Sequence, residues 1–111
     1  MTNQVTYSVL FVKKAKDLKK KHPSLTQDLE ELEKVLLNNP KHGVDLGGGL
    51  YKIRLAIKSK GKGKSGGYRV ITYLIVQSIE SIEINMVTLY DKSEESTIDK
   101  QYLLKLLKSL Y

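Results

Sequence analysis

From Leu50 to Lys58 the side chains Tyr51, Ile53, Leu55 and Ile57 alternate strictly with Lys52, Arg54, Ala56 and Lys58. A period of two is the period of a β-strand, so this stretch is a strand with one apolar face and one cationic face. The apolar face needs a core to cover it, and the cationic face needs water or an anion. Tyr68 to Gln77 follows as a nearly continuous apolar and β-branched run, the pattern of a central strand. Ser81 to Tyr90 reads as a further strand, and the short turns make the three an antiparallel meander. Between the first two of these strands, Ser59 to Gly67 is Gly and Lys with Ser, a loop composition.

The N-terminal half supplies the cover. Residues 4 to 9 alternate with Val5, Tyr7 and Val9 on one side, a short strand. Phe11, Ala15 and Leu18 then recur at helical spacing among lysines, up to His22-Pro23, where the residue before proline leaves the α region. Ser24 opens a second helix, with Gln27 at capping-box spacing and a stripe of Leu25, Leu29, Leu32 and Leu36 beside Val35; Asn38-Asn39-Pro40 closes it. So short a connection gives an antiparallel helical hairpin. Gly47-Gly48-Gly49 reads as a flexible entry to the meander. After the polar stretch at Asp91, Ser96 and Asp99 have capping spacing, and Tyr102, Leu103, Leu106, Leu107 and Leu110 form the apolar face of a C-terminal helix. The expected fold is α+β, in the order β, α, α, β, β, β, α. It has a four-stranded, mainly antiparallel twisted sheet, the hairpin on one face and a C-terminal helix, in one domain over residues 1–111.

The net charge of +7 is concentrated in the middle of the chain. Residues 46 to 79 carry Lys52, Arg54, Lys58, Lys60, Lys62, Lys64 and Arg69 and no acid, whereas the segments on either side mix both signs. Unopposed cations make a field that attracts polyanions. The absence of cysteine excludes a disulfide framework, a thiol nucleophile and a cysteine-held metal. No apolar run approaches the ~20 residues of a membrane span, and no signal-peptide layout opens the chain, so a cytoplasmic address and no membrane partner are expected.

Two motifs are set aside. Gly61-Lys62-Gly63-Lys64-Ser65 resembles a phosphate-binding loop, but Lys58 stands where the pattern needs its first glycine, and a strand rather than a helix follows. His22 and His42 share no spacing with each other or with acids, so neither a metal site nor a histidine triad is expected.

What remains is a cationic sheet face beside a Gly-Lys loop. Lys52 and Arg54 project the same way, about 6–7 Å apart from the strand rise. Arg69 opens the next strand, and Tyr90 and Lys92 lie at the end of the one after. Lysine and arginine track phosphates and tyrosine stacks a base, so the set suits single-stranded nucleic acid. The same groups could cleave RNA. Attack of a ribose 2′-OH on its own phosphate needs a base, cations for the phosphorane and an acid for the departing 5′-oxygen. A lysine with its pKa lowered by cationic neighbours can be the base, and an arginine fork matches two phosphate oxygens. Composition alone does not separate binding from cleavage.

Tyr51-Lys52-Ile53-Arg54-Leu55, then Gly67-Tyr68-Arg69-Val70-Ile71-Thr72-Tyr73, then Val87-Thr88-Leu89-Tyr90-Asp91-Lys92, in this order behind a helical hairpin, resembles the RelE/HigB superfamily of type II toxin–antitoxin toxins. The insert Lys62 to Arg69 is similar to the signature of the HigB-like branch. The resemblance implies a toxin that enters the ribosomal A site and cuts mRNA there without a metal or other cofactor, held in check by a cognate antitoxin protein. It carries catalytic roles onto Lys52, Arg54, Arg69, Tyr90 and Lys92. The long Gly-Lys insert departs from the family pattern and brings Lys58, Lys60, Lys62 and Lys64 near the cleft; these and Tyr68 are expected to bind RNA or the ribosome, and which lysine is the base stays open. Two other readings stand beside it: a gyrase-inhibiting toxin of the ParE type, which lacks this basic set, and a non-catalytic RNA- or ribosome-binding module.

Overall fold

The computed structural model describes residues 2–61, 66–94 and 98–110. Lys62, Lys64 and the Ser96 cap lie outside the described residues. Strand β1 (Thr2–Tyr7) leads into helices α1 (Val9–Lys21) and α2 (Leu25–Asn38). Strands β2 (Val44–Gly47), β3 (Leu50–Leu55), β4 (Tyr68–Ser78) and β5 (Ser81–Asp91) follow, then helix α3 (Lys100–Leu110). The strands form one sheet in the order β1-β5-β4-β3-β2.

The α+β class and the β3-β4-β5 meander match the sequence reading, and two details differ. The sheet has five strands rather than four, and it is mixed, because β1 runs parallel to β5, with Val5 opposite Ile84. The additional strand, β2, pairs antiparallel with β3, Val44 opposite Lys52 and Asp45 opposite Tyr51. Its four residues, one of them charged and one glycine, carry no alternation to read. The glycines after it are a hairpin turn rather than a flexible entry: Gly48 and Gly49 sit at φ +65° and +88°, where a side chain would be strained.

Helix boundaries follow local chemistry. Ser8 caps α1, its Oγ accepting the Phe11 amide at 3.0 Å while donating to the Val87 carbonyl at 2.7 Å, so the strand ends at Tyr7 and Val9 is already helical. Ser24 precedes α2 but makes no side-chain cap. Its Oγ donates to Asp28 Oδ2 at 2.8 Å and accepts the Ser59 amide at 2.9 Å, so its acceptor lone pair is turned away from the helix and the capping box with Gln27 does not form. Asp99 caps α3 directly, Oδ1 accepting the Gln101 amide at 2.6 Å. Tyr102 lies on the exposed side of that helix.

Both faces of the sheet are used. Phe11, Leu18, Leu25, Leu32 and Leu36 of the helical hairpin pack on Ile53, Tyr68, Val70, Ile84, Met86 and Leu89. The opposite face carries Leu50, Ile71 and Val87, which pack with Leu103 of α3. No helix among the described residues is long and apolar enough to cross a membrane. The hairpin stripe predicts a sharp contrast. Leu36 is fully buried and its neighbour Leu37 is 43% exposed. Leu36→Ala is expected to destabilise by about 2–5 kcal/mol and Leu37→Ala by less than about 0.5, measured by urea denaturation.

Candidate active site

Register brings three of the expected residues into one row. Arg54 of β3 lies opposite Arg69 of β4, and Arg69 lies opposite Tyr90 of β5. Neighbouring strands are about 4.8 Å apart, so the three form a continuous rung across the sheet. Parity puts the rung on the face away from the hairpin, since the adjacent Ile53, Tyr68 and Leu89 all belong to the hairpin core. Lys52 shares that face one rung along, opposite Ile71. Lys92 follows Asp91 at the end of β5, where its amide donates to the Gly67 carbonyl at 3.0 Å. Arg54 is exposed, Lys52 and Lys92 are half-buried, and Arg69 and Tyr90 are buried. Arg69 Nη1 donates to the Tyr68 carbonyl at 3.2 Å.

Two arginines directly opposite each other oppose sheet formation, because like charges across a strand pair repel. A guanidinium fork presents paired donors whose spacing matches two oxygens of a phosphodiester.

The other expected binding residues are placed differently. Tyr68, expected to meet RNA, is fully buried, because it precedes Arg69 and so points to the hairpin core. Its hydroxyl donates to Asp28 Oδ2 at 3.2 Å. Strand β3 ends at Leu55 rather than at Lys58, and a 3-10 turn over Lys58–Lys60 carries these lysines off the cationic face. Lys58 pairs with Glu31 of α2, and Lys60 Nζ reaches Asp91 Oδ2 at 3.4 Å. Acids remote in sequence thus oppose part of the charge that looked unopposed in the middle of the chain. Gly67 is required by close packing: a Cβ there would stand 2.2 Å from the Leu55 carbonyl oxygen. Among the described residues, no three His, Asp or Glu side chains converge as a metal site requires.

Compared with known families, residues 4–110 match the RelE toxin of the RelE / RelB toxin-antitoxin system. The chain belongs to the RelE toxin family. It is therefore a toxin of a toxin–antitoxin system, a family whose members are generally RNA-cleaving and which implies an antitoxin partner.

One part of this RelE-family toxin was not expected from its sequence. His22, 3% exposed, shares no sequence spacing with an acid, yet places Nε2 2.7 Å from Asp91 Oδ2. Asp91 Oδ1 accepts the amide of Ser93 at 2.9 Å and its hydroxyl at 2.7 Å. Beside this pair, Asp28 Oδ2 accepts from both Ser24 and Tyr68. Sixty-nine residues separate His22 from Asp91, so no spacing rule finds the contact. Parity could have pointed to it: Asp91 keeps step with the buried Leu89, and Asp28 lies in the leucine stripe of α2. A carboxylate at an inward position needs partners.

The same contacts set the ionisation of the network. Burial disfavours the Asp91 carboxylate, but the Ser93 hydroxyl and amide, His22 and the Lys60 charge outweigh it and hold the carboxyl at about 2. Burial and the Asp28 carboxylate push the Tyr68 hydroxyl up. A carboxyl held below its unfolded value stabilises the fold above that value and loses the contribution as pH falls toward the folded one. The stability advantage of the native chain over Asp91→Asn is expected to shrink by about 2 kcal/mol between about pH 4 and pH 2, read by urea denaturation across that range. A difference that is flat with pH contradicts this ionisation.

Proposed function

We propose that this chain is a ribosome-dependent mRNA endonuclease that acts in the cytoplasm as a growth-inhibiting toxin, and that the Gly-Lys insert marks it as HigB-like. The observation that carries this reading is the rung Arg54, Arg69 and Tyr90, flanked by Lys52 and Lys92. The ribosomal A site supplies a positioned, single-stranded codon. The 2′-oxygen attacks the adjacent phosphorus while the bond from phosphorus to the 5′-oxygen breaks. The proton leaves the 2′-OH for the amine of one lysine, Lys52 or Lys92, and the ammonium of the other gives a proton to the 5′-oxygen as it departs. The arginine forks face the non-bridging oxygens and stabilise the charge that gathers there, with no metal required. Groups packed before the substrate arrives are fixed in orientation, which suits Arg69 and Tyr90. A fork of this kind binds the transition state more strongly than the ground state, so its loss falls on the chemical step.

Single-turnover cleavage on programmed ribosomes, with binding measured in parallel, tests the reading. Arg69→Ala is expected to slow cleavage by about 10²–10³ with ribosome affinity within roughly tenfold. Arg69→Lys is expected to recover little of it, because the planar fork is lost. Arg54→Ala gives the parallel test at an exposed position. Cleavage that falls only in proportion to binding makes the arginines positioning groups and moves the chemistry to the lysines. Intact mRNA with stalled replication supports the gyrase reading instead.

A further inference from the structure

The rung Arg69–Tyr90 sits next to the end of the sheet. The final pair of the β4-β5 ladder there is Tyr68 with Asp91. Strand β3 ends at Leu55, opposite Tyr68, and the pairing of β1 with β5 stops at Met86. Strand ends of this kind fray unless something ties them down. Here the tie is polar and lies on the hairpin side. His22 and Lys60 meet Asp91 Oδ2, and both hydrogen-bond donors of Ser93 meet Oδ1. Asp28 takes the Tyr68 hydroxyl, and the His22 ring stands edge-on to the Tyr68 ring, centroids 5.6 Å apart.

His22, Asp28, Tyr68 and Asp91 are all buried, with 3% exposure at most. Stability alone does not account for such a network, since well-packed apolar residues of similar volume are often as good or better than a buried ion pair. What hydrogen bonds add is direction and a defined distance. Asp91 is bonded in sequence to Tyr90 on one side and Lys92 on the other, and Tyr68 precedes Arg69. Holding these two inward residues therefore holds the backbone from which the outward groups beside them project, and catalysis depends on such positioning.

We propose that the junction between α1 and α2 acts through the sheet as a clamp, and that His22 and Asp28, through Asp91 and Tyr68, are positioning residues for the catalytic rung. The proposal rests on the nuclease reading above. It assigns His22 no contact with RNA and no proton transfer; its work is done on the opposite face from the chemistry.

The test compares His22→Leu, His22→Gln and Asp91→Asn with the native chain in single-turnover cleavage on programmed ribosomes, rates being taken per folded molecule well below each melting midpoint. Glutamine carries its amide nitrogen where histidine carries Nε2, so it retains the donor. His22→Leu and Asp91→Asn are expected to slow cleavage at least tenfold with ribosome affinity within threefold, and His22→Gln to recover to within threefold of native. A merely structural role lowers the melting midpoint and leaves the rate per folded molecule unchanged. Should His22→Leu fail to fold, Asp91→Asn decides by the same comparison. Native-like rates in the folded variants overturn the clamp alone. If the native chain leaves ribosome-bound mRNA uncut, the nuclease reading falls, and the clamp with it.

Discussion

Along β4 and β5 consecutive side chains leave the sheet on opposite sides, and most of what distinguishes this molecule depends on that alternation. Tyr68 and Asp91 point into the helical hairpin; Arg69 and Tyr90, one step along each strand, point away from it. A one-residue slip of register would send the arginine into the apolar core and the core tyrosine out. The packing of Val70, Ile84, Met86 and Leu89 under α1 and α2 therefore fixes where the cationic groups emerge. The helices do not contribute to the rung themselves. They decide its face.

The opposite face is divided between two tasks. Around Leu50, Ile71 and Val87 it is apolar and packs with Leu103 of α3. Two residues along each strand from Leu50 and Ile71 it carries Lys52 and Arg69, with Arg54 beyond. One strand thus supplies a core contact and a cation on the same face within three residues. That arrangement gives a rigid floor to a charged site, because the residues next to the arginines are held by core packing rather than by a loop. The same register sets Arg54 opposite Arg69 across β3 and β4.

The meander, the hairpin and the last helix were legible because each has a long, clean period: two for Tyr51 to Ile57, near 3.6 for Leu25 to Leu36. The cationic side of β3 was legible for the same reason, since Lys52 and Arg54 occupy the polar phase of an otherwise apolar alternation. Strand β2 was not, because Val44–Gly47 is too short to show a period and its partner is chosen by a glycine turn. Tyr68, expected to meet RNA, instead lies in the hairpin core, because it alternates with Arg69 along β4. Lys58 and Lys60 looked like free cations because their acids, Glu31 and Asp91, come from elements distant in sequence. The buried His22 pair is of the same kind: long-range polar contacts have no local signature, and only the demand of an inward carboxylate announces them.

The central claim is that RNA is cut by its own 2′-hydroxyl on the face carrying Arg54, Arg69 and Tyr90. The most direct measurement uses programmed ribosomes whose A-site codon carries either an all-ribose mRNA or one with a single 2′-deoxy nucleotide at the cut position, and identifies the product ends. Cleavage of the ribose message to a 2′,3′-cyclic phosphate and a 5′-hydroxyl, with the deoxy message left intact, is the predicted result. Equal cutting of both messages, or products that carry a 5′-phosphate, would contradict it.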